Sequence, residues 1–150
     1  SFKGSHRRFE KVLDTERVVL IDDYAHHPVE LDAAIRSIRE IYSGKHIMGI
    51  FQPHLYSRTA DFYQDFARSL SMLDKVVLLD IYPARELPLP GVTSRLILDL
   101  IENPNKTLVS KNDLLDYLHG NEIPDVVLIL GAGDIDRLVI PVKQYLQTLC

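Results

Sequence analysis

Arg17-Val18-Val19-Leu20-Ile21-Asp22-Asp23-Tyr24-Ala25-His26-His27-Pro28 decides the fold. A β-branched apolar run from Arg17 to Ile21 reads as a strand and gives way at once to acids, aromatics and a proline. Pro28 stands where a first helical turn tolerates it, and Leu31, Ile35, Ile38 and Tyr42 recur after it at helical spacing until Gly44 closes the helix. Strand, polar turn and helix form one unit, and the chain repeats the unit outward.

Lys45 to Phe51 is the next strand, followed from about Ser57 by a helix carrying Phe62, Phe66 and Leu70 on one face. Val76 to Leu79 is a buried strand, and the prolines of Tyr82 to Gly91 mark a loop. Ser94 to Glu102 reads as a short helix, Thr107 to Val109 as a strand, and Ser110 with Asp113 as a capping box for a helix through Leu118. Val126 to Leu130 is the last strand, and Gly131-Ala132-Gly133 leads into a terminal helix. Upstream, Arg7 to Leu13 alternates as a strand and pairs with Arg17 to Ile21 as an antiparallel hairpin through a turn at Asp14-Thr15. The expectation is one α/β domain over residues 1–150: a Rossmann-like, mostly parallel sheet with an N-terminal antiparallel hairpin and helices on both faces.

The bulk numbers limit the function classes. At 150 residues, 46% hydrophobic and 25% charged, the chain can bury a substantial core. A net charge of −4 argues against a partner whose phosphate backbone must be tracked, so no nucleic acid is expected. No apolar run is long enough to span a membrane and no signal-peptide pattern is present, so no membrane partner is expected. The single cysteine, Cys150, fits a reducing compartment, and the expected localisation is cytoplasmic. The opening Ser1-Phe2-Lys3-Gly4, without methionine, suggests a fragment of a longer protein.

In open α/β sheets ligands bind outside the carboxyl ends of the strands. The segments of odd composition, 22–28, 52–58, 80–86 and 131–134, each follow a strand directly. The hairpin register sets Arg7 and Arg8 opposite Ile21 and Asp22, at the same edge. Arginines, carboxylates, histidines and helix N-termini gathered there describe an anion site, most simply a nucleotide site. Taken singly, Arg7 and Arg8 equally suit a solvated strand flank, and Asp22 and Asp23 suit a helix cap as well as ribose hydroxyls or Mg2+. Adjacent His26 and His27 cannot both face one metal from a helix, so one of them is expected to bond backbone near the proline and no metal site is expected. Arg58 opposes its helix dipole, a cost that favours a ligand role, whereas Arg85 suits an exposed loop. The glycines Gly131 and Gly133 suit a close helix–strand approach. No Gly-x-x-x-x-Gly-Lys-Ser/Thr occurs, so a phosphate-cradling loop would have to come from another domain.

Gly4-x-x-Arg7-Arg8-Phe9-Glu10, Asp22-Asp23-Tyr24-Ala25-His26-His27-Pro28-x-Glu30, Phe51-Gln52-Pro53-His54-x-Tyr56-Ser57-Arg58-Thr59, Asp80-Ile81-Tyr82-Pro83-Ala84 and Gly131-Ala132-Gly133 together resemble the C-terminal domain of the Mur ligases, in order and across nearly the whole chain. The resemblance implies an ATP-dependent acid–amino-acid ligase of peptidoglycan synthesis, working through an acyl phosphate. It implies three domains, of which the N-terminal domain binds the UDP-sugar and the central domain carries the P-loop and the Mg2+ ligands. The third swings in over ATP and would be inactive alone. UDP-N-acetylmuramate, L-alanine, ATP and the two other domains are the implied partners. By position, Arg8 is implied to reach the terminal phosphate, Asp23 to contact the nucleoside, and Tyr24, His26 and Arg58 to lie near the amino acid and the muramyl carboxylate. Arg8, His26 and Arg58 are then the catalytic set. Leu55 stands where the family commonly has arginine, and Arg85 where it commonly has glycine. Arg85 is expected to compensate for the missing charge at 55. The alternatives are an autonomous nucleotide-binding module and the tripeptide-recycling member of the family.

Overall fold

The structure is a computed structural model and describes residues 8–150. Arg7, the first of the arginine pair, lies outside the described residues. The strands are β1 (Glu10–Asp14), β2 (Val19–Asp23), β3 (Ile47–Phe51), β4 (Lys75–Leu78), β5 (Lys106–Leu108) and β6 (Val126–Leu130). The α-helices are α1 (Pro28–Ile41), α2 (Tyr56–Leu70), α3 (Arg95–Leu98), α4 (Leu114–His119) and α5 (Val139–Gln147), with 3-10 turns leading into the last two.

The sheet order is β1-β2-β6-β3-β4-β5. Among the described residues only the β1–β2 pair is antiparallel; β2, β6, β3, β4 and β5 run parallel. Their apolar runs alternate between two cores. Val19, Ile21, Ile47, Phe51, Val76, Leu78, Val126, Leu128 and Leu130 meet α1, α2 and α3 on one face. Leu20, Met48, Ile50, Val77, Val127 and Ile129 meet α4 and α5 on the other. A sheet covered on both faces needs continuous apolar strands, and β2, β3 and β6 are buried at every position.

Two local expectations are corrected. The hairpin sets Glu10, not Arg8, opposite Asp22, because the ladder is irregular between Lys11 and Leu13 and the turn is closed by Thr15 and Val18. Phe9, at φ 56, turns the chain out of the ladder and donates its N–H to Asp23 Oδ2 at 3.1 Å. Helix α3 stops at Leu98 rather than Glu102, since the Lys106 ammonium caps Leu98 O and Ile101 O at 2.8 Å each and Ser71 Oγ accepts from Glu102 N.

The order places β6 between β2 and β3. The connections leaving β2 and β3 cross the α1–α2 face, and the one leaving β6 crosses the other face. The chain therefore diverges at the carboxyl ends of these three strands, where Asp23, Leu130 and Phe51 share one register level.

Candidate functional site

At that edge Asp23 is buried and committed. Its Oδ1 accepts from Ala25 N at 2.9 Å, its Oδ2 accepts from Phe9 N, and Arg8 Nε stands 3.5 Å away. Burial raises its carboxyl above the ordinary 3.8, against those backbone bonds and the Arg8 charge. Arg8 is half exposed and its Nη1 lies 3.7 Å from Glu30 Oε2. Although the pairing register differs from expectation, Arg8 still reaches the end of β2.

The two histidines divide as their neighbours dictate. His27 is the N-cap of α1: its Nδ1 accepts from Val29 N, while Glu30 returns the bond to the His27 N–H at 3.2 Å. His26 Nδ1 lies 3.0 Å from Tyr24 O, close enough to donate to that carbonyl and fix the orientation of the ring. Rings then run in a row from the end of β2 to the end of β4: Tyr24–His26 at 5.2 Å, His26–His54 at 5.6 Å and His54–Tyr82 at 5.3 Å between centroids.

The segment after β3 is held open. Tyr82 N donates to Pro53 O, and Leu55 N donates to Tyr82 O, each at 2.8 Å. Leu55 has φ 77, a left-handed backbone uncommon for leucine and usual where a site constrains the chain. It precedes α2 without a side-chain cap, and Glu86 caps from the proline-rich loop, accepting from Ser57 N at 3.1 Å and from Ser57 Oγ. The hydroxyl bond from Ser57 and the Ser57 N–H hold the Glu86 carboxyl below its ordinary range. Glu86 thus offsets the helix-dipole cost of Arg58, and that cost alone does not argue for a ligand. The stronger argument is that Arg58 Nη1 and His54 Nδ1 are both buried without a hydrogen-bond partner. Buried polar atoms are nearly always satisfied, and two orphans at the ligand edge of a sheet suit groups that a bound anion completes.

Burial lowers the His54 pKa below the ordinary 6.5, with further lowering from His26 and Arg58. A depressed histidine gives stability that is present above its unfolded value and lost as pH falls through the folded one. Melting temperature therefore drops as pH falls below 6.5, before carboxylates with ordinary values near 4.5 begin to protonate. His54→Gln flattens this part of the profile. Equal slopes for both proteins in thermal melts across that interval would contradict the assignment.

The glycines after β6 serve close approach. A Cβ at Gly133 would stand 2.5 Å from Tyr82 Cγ and 2.6 Å from Gln52 Oε1. Buried Gln52 bridges the same junction, donating to Asp134 Oδ1 at 2.7 Å and accepting from Ile135 N at 3.1 Å. Beside it opens a pocket of about 390 Å³ lined by Gln52, Asp80, Tyr82, Lys111, Asn112 and Asp134. A larger cavity of about 680 Å³ lies at the opposite edge, near Arg17, His46, Lys75 and Asp125. There Arg17 bonds Ile123 O and His46 N bonds Asp125. Of the three buried side-chain atoms without a partner among the described residues, Tyr42 Oη lies at the end of α1, whereas those of the two basic groups, His54 Nδ1 and Arg58 Nη1, lie at the carboxyl edge. We therefore assign the site to the carboxyl edge despite its smaller volume. Among the described residues no group of three His, Cys, Asp or Glu stands together as a metal site.

Of the residues singled out in the sequence, Arg8 meets Asp23 and Tyr24 meets His26, and Glu30 links the two pairs. Arg58 joins them through its charge on His54. Arg85 is exposed in its loop. Sequence reading placed Glu30, Gln52, His54 and Glu86 in the segments of the ligand edge or the family motifs but gave none of them a role in the site. Glu30 had a signal, three residues after a capping residue, but the cap is histidine rather than the usual serine or threonine.

A family model described as Mur ligase, glutamate ligase domain, matches residues 7–133. The chain belongs to the Mur ligase family. It is 98% identical, over its whole length, to a UDP-N-acetylmuramate–L-alanine ligase of Porphyromonas gingivalis, of which it covers 33%. It is 58% identical over 97% of its length to the ligase of the same name from Parabacteroides distasonis, of which it covers 31%. Among solved structures, the UDP-N-acetylmuramate-alanine ligase of Thermotoga maritima superposes with a TM-score of 0.73 at 28% identity, covering 95% of this chain and 30% of that one. The chain thus spans about a third of the length of the curated relatives it matches. Among the described residues no helix is long and apolar enough to cross a membrane.

Proposed function

We propose that this chain is the C-terminal, nucleotide-closing domain of a cytoplasmic ATP-dependent ligase that joins L-alanine to the carboxylate of UDP-N-acetylmuramate in peptidoglycan synthesis. The observation that carries this reading is the 98% identity over the whole chain to a relative of that name. The edge at β2, β6 and β3 supports it: a half-exposed arginine, an orphaned buried arginine nitrogen and no P-loop suit a domain that completes a site built elsewhere.

In this reading the muramyl carboxylate attacks the terminal phosphoryl group of ATP, giving the acyl phosphate and ADP. The alanine amine then attacks the acyl carbon, loses a proton and expels phosphate. Arg8 stabilises charge on the transferring phosphoryl group. Arg58, with an unmatched donor, and His26, its ring held at Tyr24 O, meet the carboxylates and the amine beside Tyr24. Asp23, whose oxygens already accept two backbone N–H groups, anchors the turn carrying Arg8 and offers its remaining lone pairs to the nucleoside. Closure of the domain excludes water from the acyl phosphate. Mg2+ would neutralise phosphate charge in such a reaction, and in this reading the central domain would supply its ligands.

The chain expressed alone is expected to bind ATP only weakly and to release no phosphate. Calorimetric titration of the isolated chain with ATP, alongside a phosphate-release assay, checks this. Tight ATP binding by the chain alone would favour an autonomous nucleotide-binding module and sink the closing-domain reading.

A further inference from the structure

We propose that Glu30 is the positioning residue for Arg8: one carboxylate, pinned at the start of α1, fixes where the Arg8 guanidinium and the His26 ring stand. The inference rests on the role given to Arg8 above and extends it to a residue that need touch no substrate.

The two oxygens of Glu30 face different ways. Oε1 accepts from His26 N at 3.3 Å and from His27 N at 3.2 Å, and lies 3.4 Å from His26 Nδ1. Two backbone amides on one oxygen hold the carboxylate still, and the same oxygen steers the His26 ring. Oε2 is turned to Arg8 Nη1 at 3.7 Å. The other carboxylate near Arg8 is Asp23, itself pinned by Phe9 N and Ala25 N. The guanidinium therefore hangs between two carboxylates that are each tied to backbone. Both separations exceed a hydrogen bond, so the group is steered by charge and remains able to turn onto a phosphate. Burial works to raise the Glu30 pKa, but the His26 and His27 N–H bonds, with the charges of His26 and Arg8, outweigh it and keep the carboxylate ionised. Removing the Oε2 charge leaves Asp23 as the remaining ion-pair partner of Arg8 among the described residues, and the guanidinium is drawn toward β2 and away from His26. A displacement on the order of 1 Å at a reacting group is enough to cost a large factor in rate.

The chemistry of the cap supplies a clean test, because glutamine serves the third helical position as glutamate does. Glu30→Gln keeps the oxygen that accepts from His26 N and His27 N and removes the charge facing Arg8. Glu30→Ala removes both. The variants are made in the full-length ligase, singly and in an Arg8→Ala background, and assayed for phosphate release with melting curves in parallel. Glu30→Gln is expected to melt like the parent and to lose about tenfold in kcat with the KM for L-alanine unchanged. In the Arg8→Ala background it is expected to cause no further loss. Parental kcat in Glu30→Gln, or a tenfold loss that persists without Arg8, would overturn the role of Glu30 while leaving that of Arg8 intact. Loss confined to Glu30→Ala and matched by its melting temperature would reduce Glu30 to a helix cap. Parental turnover in Arg8→Ala alone would instead remove the reading on which the inference rests.

Discussion

Arg8→Ala in the full-length ligase lowers kcat by about a thousandfold while hardly moving the melting temperature of the domain. The rate effect is the size expected when an arginine that meets a transferring phosphoryl group is removed. The small stability effect follows from geometry. The Arg8 side chain is 46% exposed and its two ion pairs, at 3.5 and 3.7 Å, are loose and screened, so together they contribute less than about 1 kcal/mol. Asp23 would lose a neighbouring charge but keep the Phe9 and Ala25 N–H groups that satisfy it. Arg8→Lys is not expected to restore the rate, because an ammonium is a point charge without the planar fork of donors. Phosphate-release kinetics and thermal denaturation on the same preparations check both halves. A fall in kcat accompanied by a collapse in melting temperature would mean that Arg8 serves the fold.

Gly133→Ala is expected to give a large loss of stability for one added methyl group. The new Cβ would lie 2.5 Å from Tyr82 Cγ and 2.6 Å from Gln52 Oε1, so a ring and a buried amide must move. Neither can move freely. Tyr82 is tied through its backbone to Pro53 and Leu55, and Gln52 bridges Asp134 and Ile135. Overpacking of this kind costs about 1–3 kcal/mol, or roughly 3–10 °C in melting temperature for a domain of this size. The strain also bears on the site, since the Tyr82 ring lies tilted against His54, and His54 against His26. A melting curve indistinguishable from that of the parent would show that the junction is looser than the structure describes.

The fold could be read because its signals are local. The apolar runs of β3 and β6 have the continuity that burial on both faces demands, and Pro28 with the Leu31–Ile35–Ile38 spacing marks α1 without outside help. What could not be read arises from contacts distant in sequence. The hairpin register depends on Phe9 leaving the ladder for Asp23, and the end of α3 on Lys106. The cap on α2 comes from Glu86, 29 residues beyond Ser57, and it removes the dipole argument that sequence alone offered for Arg58. The candidate site could be proposed from sequence as an edge, because odd residues follow β2, β3, β4 and β6. Its orphaned atoms on His54 and Arg58 were not, because burial is a property of the packed chain.

The most direct measurement is phosphate release by the full-length ligase supplied with ATP, Mg2+ and UDP-N-acetylmuramate, with L-alanine, L-serine, glycine or the cell-wall tripeptide in separate reactions. Release that depends on L-alanine, and falls away in Arg8→Ala, is the expected result. Release with the tripeptide alone, or with no acceptor at all despite ATP binding, would contradict the account.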